Sequence, residues 1–422
     1  MQINTHLYLP VEIKVRELEA KLLLAYYAAL CGYKAIIGEQ LAIEKVSTYM
    51  PSGIYFSKGY PNRYKKRLIN NVINHRHQLV ELDEEGLIIN RDNYSNRINT
   101  VLNESMEHFY CWGSFQREVI LEIDSKLTNR SFVTGNPRFD LLSKKYRELY
   151  KENVNRITNK YNPIVLINTR FALYNQIKKS GKDKQPIQEY MKELFNHFLY
   201  LVKILSLTFP YLQFIVRPHP NENKLTYEKA FSELNNVKVI SEGNVINWIL
   251  ASQLIIHNGC TTGIEAFLLN KPVVAYMPIH NEKFDVALAN DLSIKTSNIE
   301  EIILIIKDIL NNVHREKILL SESNEHKKIF NRYYGVEDGE FAYKNILDCL
   351  QQIPARVKHS VRINPTKTNS FKSRTTKYRF PKFEKKEIVK FFKGLNGLEG
   401  TNNQFEIKQL DQRVFAISFL KI

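Results

Sequence analysis

The 422-residue chain has the composition of a folded protein, 44% hydrophobic and 25% charged, and is long enough for two α/β domains. Four widely separated cysteines with no Cys-x-x-Cys or Cys/His spacing argue against a disulfide framework and a zinc site, and the first residues lack a signal-peptide pattern. No stretch approaches the roughly 18 apolar residues of a membrane span, so we expect a cytoplasmic protein.

The first 155 residues alternate between short apolar strands and helices, which predicts a parallel sheet covered by helices. Strands are predicted at residues 6–10, 34–38, 53–57, 78–82, 108–112 and 132–134. A helix is predicted at 11–31, where Leu18, Leu22, Leu23, Tyr26 and Ala29 lie near one face. Residues 1–155 are therefore predicted to form an N-terminal, acceptor-side Rossmann-like domain.

The pattern restarts after a polar stretch with the apolar run Ile164–Asn168. Helices are predicted at 186–207, 245–251, 261–269 and 299–311, and strands at 213–217, 237–240, 253–257 and 272–276. Residues 156–340 are predicted to be a nucleotide-sugar-binding Rossmann-like domain, and 341–354 a helix that returns toward the N-terminal domain. Two doubly wound domains facing a cleft would place ligands at the carboxyl ends of the strands.

Residues 355–422 are strongly basic, with 16 Lys/Arg against 5 Asp/Glu, so they hold +11 of the net +16. The stretch at 367–380 predicts an extended linker. Residues 383–395 could form a short basic amphipathic helix with Ile388, Phe391, Phe392 and Leu395 toward one side. Since no nucleic-acid motif accompanies the charge, we expect this basic tail to contact an anionic membrane surface and no nucleic acid.

Three acids, Asp83, Glu84 and Glu85, directly follow the strand predicted at 78–82 and precede Gly86. Neighbouring carboxylates repel one another, which raises the pKa of at least one of them. A carboxylate held at a strand end can take a proton from an acceptor hydroxyl. The alternative interpretation is a solvated acidic turn, because acids favour turns.

The segment Arg217-Pro218-His219-Pro220 closes the strand predicted at 213–217. Two prolines fix the backbone around His219, which suits an imidazole that donates a hydrogen bond or a proton to the phosphate of a departing nucleotide. Arg217 would add a permanent charge. The alternative is a stiff loop in which the histidine is incidental.

The segment HNGCTTGIEA at 257–266 follows an apolar strand and opens a helix. Free amide groups, the helix dipole and two hydroxyls would together bind an anion, and an acid one turn into the helix could accept hydrogen bonds from ribose. Ordinary capping of a structural helix is the alternative. The predicted nucleotide-binding residues of this segment are His257, Gly259, Thr261, Thr262, Gly263 and Glu265.

Several segments resemble the bacterial surface carbohydrate biosynthesis protein family, over roughly residues 5–350. They are RELEAKLLLAYYAALCGYKAIIGEQ at 16–40, MPSGIYFSKG at 50–59, LDEEGLI at 82–88, TGNPRFD at 134–140, RPHP, HNGCTTGIEA and RYYGVEDGE at 332–340. The motif set is also similar to bacterial sialyltransferases and polysialyltransferases, which have an acidic pair before glycine, a His-Pro and a Ser/Thr pair.

That resemblance implies that Glu84 is the general base and that His219, Thr261 and Thr262 engage the phosphate of CMP. It implies a CMP-activated 3-deoxy-2-ulosonic acid donor, such as a Kdo-, sialic acid- or nonulosonate-type sugar, with no metal and no other cofactor. Because three consecutive acids depart from the family pattern, Asp83 or Glu85 is an alternative base.

The resulting hypothesis is a GT-B glycosyltransferase that acts on a bacterial surface polysaccharide or glycolipid acceptor, for capsule or lipopolysaccharide. It would lie at the inner face of the cytoplasmic membrane. The alternatives are a CDP-glycerol-type glycerophosphotransferase, a UDP-sugar-using GT-B enzyme, a nonhydrolysing nucleotide-sugar epimerase, and a non-enzymatic scaffold of a capsule assembly complex.

Overall fold

In the computed structural model the chain divides into two units, and both ends of the sequence belong to the first. Unit 1 is Met1–Leu149 with Asn331–Ile422, and unit 2 is Tyr150–Phe330. The structure describes residues 5–59, 62–89, 91–95, 97–98, 103–176, 186–313, 319–320, 323–337, 339–354 and 379–420. The boundary predicted at 155/156 lies six residues after the observed division, and the predicted domain end at 340 lies ten residues after Phe330.

The first part of unit 1 forms a parallel sheet with helices between the strands. Its strands are β1 His6–Val11, β2 Lys34–Glu39, β3 Gly53–Ser57, β4 Gln78–Leu82, β5 Met106–Cys111 and β6 Ser131–Val133. They lie in the order β2-β1-β3-β4-β5-β6, so the strand order reverses between β1 and β3. In doubly wound sheets, ligands bind outside the carboxyl ends of the strands at such a reversal.

The helices of this part account for the apolar strand sequences, because strands covered on both faces are buried throughout. The helices are α1 Lys14–Leu30, α2 Gln40–Ser47, α3 Asn62–Asn74, α4 Arg91–Tyr94, α5 Ser114–Ile123 and α6 Pro137–Asp140, with 3-10 helices at Ser125–Leu127 and Lys144–Tyr150. The predicted apolar face of α1 is confirmed: Leu18, Leu22, Leu23, Tyr26 and Ala29 are all buried.

Unit 2 is a six-stranded parallel sheet in the order β12-β11-β10-β7-β8-β9. Its strands are β7 Ile164–Asn168, β8 Gln213–Arg217, β9 Val237–Val239, β10 Leu254–His257, β11 Val273–Tyr276 and β12 Ile294–Thr296. This order is that of the dinucleotide-binding fold, with its reversal between β7 and β10. The loops that follow these two strands therefore mark the expected ligand position.

Eight helices are described from residue 151 to residue 333, most of them between strands. They are α7 Lys151–Tyr161, α8 Pro186–Thr208, α9 Lys224–Ala230, α10 Val245–Ala251, α11 Thr261–Leu268, α12 Ala287–Asp291, α13 Ile299–Leu310 and α14 Asn324–Tyr333. Leu194, Phe198 and Leu201 of α8 are buried in a core that also contains Ile302 of α13 and Ile167 of β7.

The described C-terminal residues, 379–420, fold as part of unit 1, which corrects the prediction that 355–422 are a basic tail following the two domains. Helix α15 Ala342–Gln351 is followed by α16 Lys385–Glu399 and the hairpin of β13 Phe405–Asp411 and β14 Val414–Phe419. Strand β14 pairs antiparallel with β2 and β13 pairs with β14, so the hairpin widens the unit 1 sheet to eight strands. The linker predicted at 367–380 lies, except for its last two residues, outside the described residues.

The amphipathic helix predicted at 383–395 is present as α16, but its apolar face packs inside unit 1. Phe392 and Leu395 are buried in the same core as Leu22 and Leu23 of α1. The Tyr26 hydroxyl donates to Asn396 Oδ1 at 2.7 Å and fixes the end of the helix. Apolar insertion of α16 into a bilayer is therefore excluded in this structure. Its exposed side carries Lys385, Lys386, Lys390 and Lys393.

Every predicted strand is present, with ends shifted by at most two residues, and the α/β class is confirmed. The predictions missed β12, β13 and β14.

Candidate functional site

Thr169 and Arg170, directly after β7, form hydrogen bonds to the two other loops at the reversal of unit 2. Thr169 Oγ1 donates to Glu222 Oε1 in the loop after β8, at 2.9 Å. Arg170 Nε donates to the carbonyl oxygen of Asn258, in the loop after β10, at 2.7 Å, and its Nη2 donates to Asn258 Oδ1 at 3.1 Å. The loops that carry His219 and Thr261 therefore lie at one edge of the sheet, and the Arg170 guanidinium contacts the second of them.

The turn that contains His219 is held by the buried carboxylate of Glu222. The backbone N–H of His219 donates to Glu222 Oε1 at 2.9 Å, and the Tyr227 hydroxyl donates to Oε2. The backbone N–H of Asn221 donates to His219 Nδ1 at 3.2 Å, which leaves the proton of a neutral ring on Nε2. The imidazole is therefore positioned as a donor through Nε2.

Sequence reasoning missed Glu222 and Arg170. The available signal for Glu222 was an acid three residues after His219, in a turn already fixed by prolines. Burial raises the pKa of Glu222, which is consistent with a carboxyl group that positions its neighbours inside the fold. No motif marked Arg170, because its hydrogen-bond partner Asn258 lies 88 residues further along the chain.

The structure corrects the prediction that Arg217 binds phosphate. Its Nη1 donates to the carbonyl oxygens of Ile240 and Glu242, and its Nη2 to those of Ser241 and Gly243, at 2.9–3.3 Å. The guanidinium is 5.3 Å from the ring centroid of Trp248. Burial lowers the pKa of Arg217 to about 10. Four of its five N–H groups thus bind backbone, so Arg217 organises the loop after β9.

The loop before α11 has the features of an anion site. Gly259 has a φ of +56°, a conformation that favours glycine, and its N–H donates to Asn290 Oδ1 at 2.7 Å. A Cβ at Gly259 would lie 2.9 Å from Arg170 Nε. Cys260, the N-cap residue of α11, makes no side-chain capping bond, and Thr261 is exposed. The N–H of Gly263 donates to the carbonyl oxygen of Cys260 at 2.9 Å. The start of α11 therefore carries an exposed hydroxyl and lies next to the loop that contacts the Arg170 guanidinium.

Two predicted nucleotide ligands of this segment lie inside the fold instead. His257 is fully buried, with Nε2 2.8 Å from Ser293 Oγ and Nδ1 accepting from the N–H of Cys260 at 3.3 Å. Burial lowers the pKa of His257 to about 3, so the ring is neutral. A Cβ at Gly263 would lie 2.2 Å from His257 Nε2. His257 and Gly263 are therefore not accessible to a nucleotide, which corrects their predicted role. They pack against each other beneath the loop and fix its conformation.

The remaining predicted residues of the segment differ in exposure. Thr262 is half-buried and its Oγ1 donates to Cys260 Sγ at 3.1 Å, whereas Glu265 is 1% exposed. Thr261 is thus the hydroxyl of the pair that is open to solvent.

In unit 1, Asp83 is a buried residue that joins the loops after β3, β4 and α4. Arg97 Nη1 donates to its two carboxylate oxygens at 3.1 and 3.0 Å, and the Tyr94 hydroxyl donates to Oδ2 at 3.2 Å. A Cβ at Gly59 would lie 2.4 Å from Asp83 Cγ. Burial raises the pKa of Asp83 to about 6, against the opposing charge of Arg97. The predicted rise in pKa is therefore present, but burial and not repulsion within the turn is its main cause.

Glu84 forms a buried ion pair with Lys21 of α1. The Lys21 Nζ atom is 2.6 Å from Glu84 Oε1, and the two side chains are 3% and 4% exposed. Of the two interpretations drawn from the sequence, the solvated turn needs correction, since two of its three acids are buried. The role of Glu84 as a base stays a prediction, and its carboxylate is not open to solvent in this structure.

Glu85 is the accessible acid of the turn, with 54% of its side chain exposed. Arg97 Nη2 donates to Glu85 Oε2 at 2.9 Å, and Arg16 Nη1 lies 3.5 Å from Oε1. Partial burial acts to raise the pKa of Glu85, but the hydrogen bond from Arg97 and the charge of Arg16 hold it below its usual value. A carboxylate stabilised in this way is a weak base.

An ion-pair cluster that the motif analysis did not identify surrounds the reversal between β1 and β3. Lys58, directly after β3, lies 2.6 Å from Glu17 and 3.4 Å from Glu12, which follows β1. Arg16 pairs with Glu17 at 3.1 Å, and Arg379 of the C-terminal segment pairs with Glu12. The spacing Glu12, Arg16, Glu17 and Lys21 at the start of a helix was the available signal.

Metal binding and membrane spanning concern the remaining predicted properties. Within the described ranges, no three His, Cys, Asp or Glu side chains are grouped so that they could hold a metal ion. Nor does any helix in the part of the chain that the structure describes combine the length and apolar character of a membrane span. Metal independence and membrane contact stay predictions.

Comparison with known proteins adds one family match and a set of similar folds. Residues 195–337 match the model of a family described as "Protein of unknown function (DUF354)". No curated protein sequence matches the chain, so the resemblance to sialyltransferases stays a prediction.

Several solved structures have similar folds at low sequence identity. The UDP-GlcNAc 2-epimerase from Methanocaldococcus jannaschii is 13% identical with a TM-score of 0.53, over 83% of this chain and 99% of that one. The UDP-GlcNAc 2-epimerase from Neisseria meningitidis bound to UDP-GlcNAc is 13% identical with a TM-score of 0.50, over 83% and 100%. The S. aureus MnaA–UDP structure is 11% identical with a TM-score of 0.51, over 82% and 95%. The predicted GT-B-type fold with two Rossmann-like domains is therefore confirmed.

Proposed function

We propose that the chain is a glycosyltransferase that moves a sugar from a pyrimidine-nucleotide donor to a bacterial surface polysaccharide or glycolipid, with the donor phosphate bound on unit 2. The observation that carries the proposal is the pairing of Thr169 with Glu222 and of Arg170 with Asn258. This pairing places a guanidinium, the His219 turn and the start of α11 at the reversal of one sheet, where nucleotides bind in doubly wound folds.

Each group has a role that follows from its position. The amides at the start of α11, the Thr261 hydroxyl and Arg170 would bind the phosphate, and His219 Nε2 would donate to the leaving phosphate oxygen. Stabilising the charge that develops on a leaving group is usually the largest electrostatic contribution in such a reaction. No metal or other cofactor is part of the proposal.

The base comes from the acidic turn of unit 1 and has its own test. Glu84 serves as the base in this proposal in a state where its pair with Lys21 has opened. Glu84→Gln should then abolish transfer while nucleotide binding by unit 2 persists. Transfer by Glu84→Gln at the wild-type rate would exclude Glu84 as the base and leave Asp83 and Glu85 to be tested in the same way.

A nucleotide-sugar epimerase is the second candidate, because two of the similar structures are UDP-GlcNAc 2-epimerases at TM-scores of 0.53 and 0.50. Those structures also make UDP-sugars the first donors to test, beside the CMP-linked ulosonic acids that the sequence resemblance implies. Epimerisation needs no acceptor and releases no net nucleotide, whereas transfer needs an acceptor and releases one nucleotide for each sugar.

The deciding experiment measures nucleotide release and epimerisation from UDP-GlcNAc, UDP-glucose and a CMP-linked ulosonic acid, with and without a lipid-linked glycan acceptor. His219→Ala should lose most turnover and weaken UDP or CMP binding. The matched control is His197→Ala on α8, which should behave as wild type. If His219→Ala and wild type bind and turn over donors equally, the phosphate site on unit 2 is wrong.

We also propose that unit 1 contacts the anionic inner face of the cytoplasmic membrane, where lipid-linked acceptors reside. The exposed side of α16 carries Lys385, Lys386, Lys390 and Lys393, and the apolar side of this helix is used within unit 1. The contact would therefore be electrostatic, without insertion.

A further inference from the structure

The ion-pair cluster of unit 1 lies where a doubly wound sheet binds its ligand. Lys58 follows β3 and Glu12 follows β1, so the 3.4 Å contact between them spans the strand-order reversal. Arg16, at the start of α1, extends the cluster toward Glu85 after β4. The residues that follow the three neighbouring strands β1, β3 and β4 thus belong to one network of ion pairs at the carboxyl edge of the sheet.

The N–H groups of Arg16 and Arg97 that point into the fold donate to buried carboxylates. Arg16 Nη2 donates to Glu17, whose side chain is 0% exposed, at 3.1 Å. Arg97 Nη1 donates to Asp83, whose side chain is 2% exposed, at 3.0 and 3.1 Å. Both guanidinium groups are therefore fixed in position by contacts that belong to the interior.

The outward-facing groups of the same arginines meet at one exposed carboxylate. Arg97 Nη2 donates to Glu85 Oε2 at 2.9 Å, and Arg16 Nη1 lies 3.5 Å from Glu85 Oε1. Arg16 Nε is buried and makes no hydrogen bond to any described residue. Since exposed ion pairs contribute little to folding, the fold does not depend on Glu85 staying in this fork.

We propose that Arg16 and Arg97 form a binding site for an anionic group of the substrate, a carboxylate or a phosphate, and that the side chain of Glu85 occupies this site until the substrate displaces it. A guanidinium binds carboxylates and phosphates through paired N–H groups, and two of them, fixed from within, select an anion by geometry as well as charge. Glu85 is an internal competitor that keeps the two cations compensated.

The identity of the anion as part of a sugar donor or acceptor rests on the proposed function, but the anion site itself does not. A substrate that binds at this edge would carry a carboxylate or a phosphate. Neutral hexoses would leave Glu85 in place and gain nothing from the two arginines.

The test measures the Kd of malonate by calorimetry at fixed ionic strength, with unit 2 saturated by UDP. Glu85→Gln removes the competing charge and should tighten malonate binding about fivefold, the equivalent of one exposed ion pair. Arg16→Gln should weaken it by about the same factor. The matched control is Glu118→Gln, which removes an exposed carboxylate paired with Arg332 at 3.1 Å on another part of the unit and should leave malonate binding unchanged.

Arg16→Lys provides a second variant if Arg16→Gln lowers the melting temperature, because it keeps the charge that pairs with Glu17 and removes the planar fork. It should also weaken malonate binding. Equal malonate affinity in wild type, Glu85→Gln and Arg16→Lys would overturn the site. Failure of UDP to bind in the same samples would count against the proposed function alone, since the malonate comparison stands without it.

Discussion

His257 and Gly263 illustrate how a contact between two residues sets the shape of the loop before α11. The neutral imidazole bonds to Ser293 on one side and to the backbone of Cys260 on the other. Gly263 provides the space that the ring occupies. The geometry of the candidate phosphate loop therefore depends on a residue pair that no ligand has to touch.

Gly263→Ala should destabilise the protein by about 1–3 kcal/mol, because its Cβ would lie 2.2 Å from His257 Nε2 and the ring would have to move. Urea unfolding measures the change. The matched control is Gly397→Ala in α16, where nothing lies within 4 Å of the added Cβ. That substitution should be neutral or stabilise by about 0.5–1 kcal/mol. Equal effects of the two substitutions would contradict the packing argument.

Residue identity and spacing predicted the location of the unit 2 loops but not the direction of each side chain. Arg217 and His219 are two residues apart, yet the guanidinium turns to four carbonyl groups of the loop after β9 while the imidazole stays at the β8 turn. The hydrogen-bond partners of Arg217 could not be predicted from the sequence, because these carbonyl groups come close to its side chain only in the folded sheet.

At the scale of elements, α16 contributes more to the fold of unit 1 than its position near the end of the chain suggests. Phe392 and Leu395 extend the core built by α1, and Glu399 bonds to Tyr27 of the same helix. Strand β14 covers the edge of β2. The C-terminal elements therefore complete both the sheet and the helical layer.

Phe392→Ala should lower the free energy of unfolding of unit 1 by about 3–5 kcal/mol, the usual range for a buried phenylalanine. Denaturant unfolding followed by circular dichroism measures this change. Val389→Ala, on the exposed side of α16 at 46% exposure, is the control and should change stability by less than about 0.5 kcal/mol. A stability loss in Phe392→Ala no larger than in the control would mean that α16 is only loosely attached.

An amphipathic sequence indicates that one face of a helix is buried but not what covers it. For α16 the periodicity correctly predicted a helix whose apolar side is Ile388, Phe391, Phe392 and Leu395, of which Phe391 is only partly buried. The choice between a bilayer and the protein core depends on α1, more than 350 residues earlier in the chain. Local pattern cannot carry that information.

At the scale of the whole molecule, the net charge of +16 is consistent with an encounter with an anionic surface. The four lysines of α16 share the exposed side of one helix. Since each lysine near an anionic bilayer contributes about 1 kcal/mol, a set of four is enough for reversible attachment.

Replacing Lys385, Lys386, Lys390 and Lys393 by Gln should release most of the protein from phosphatidylserine-containing vesicles in a sedimentation assay at low salt. The control replaces four exposed lysines of unit 2, Lys192, Lys203, Lys229 and Lys307, so that the net charge falls equally. The control should sediment nearly as wild type. Equal loss in both variants would indicate general charge attraction and no docking surface on α16.

Unit 2 is inserted into unit 1, and this arrangement orders events during synthesis. A ribosome delivers all of Tyr150–Phe330 before it delivers β14, which unit 1 needs beside β2. Unit 2 can therefore finish folding while the nascent unit 1 still exposes an open sheet edge, which is prone to pairing with other chains. A chain that is cleaved after α15 would keep unit 2 whole and leave the β2 edge of unit 1 without β14, so we expect it to aggregate more readily than the full chain.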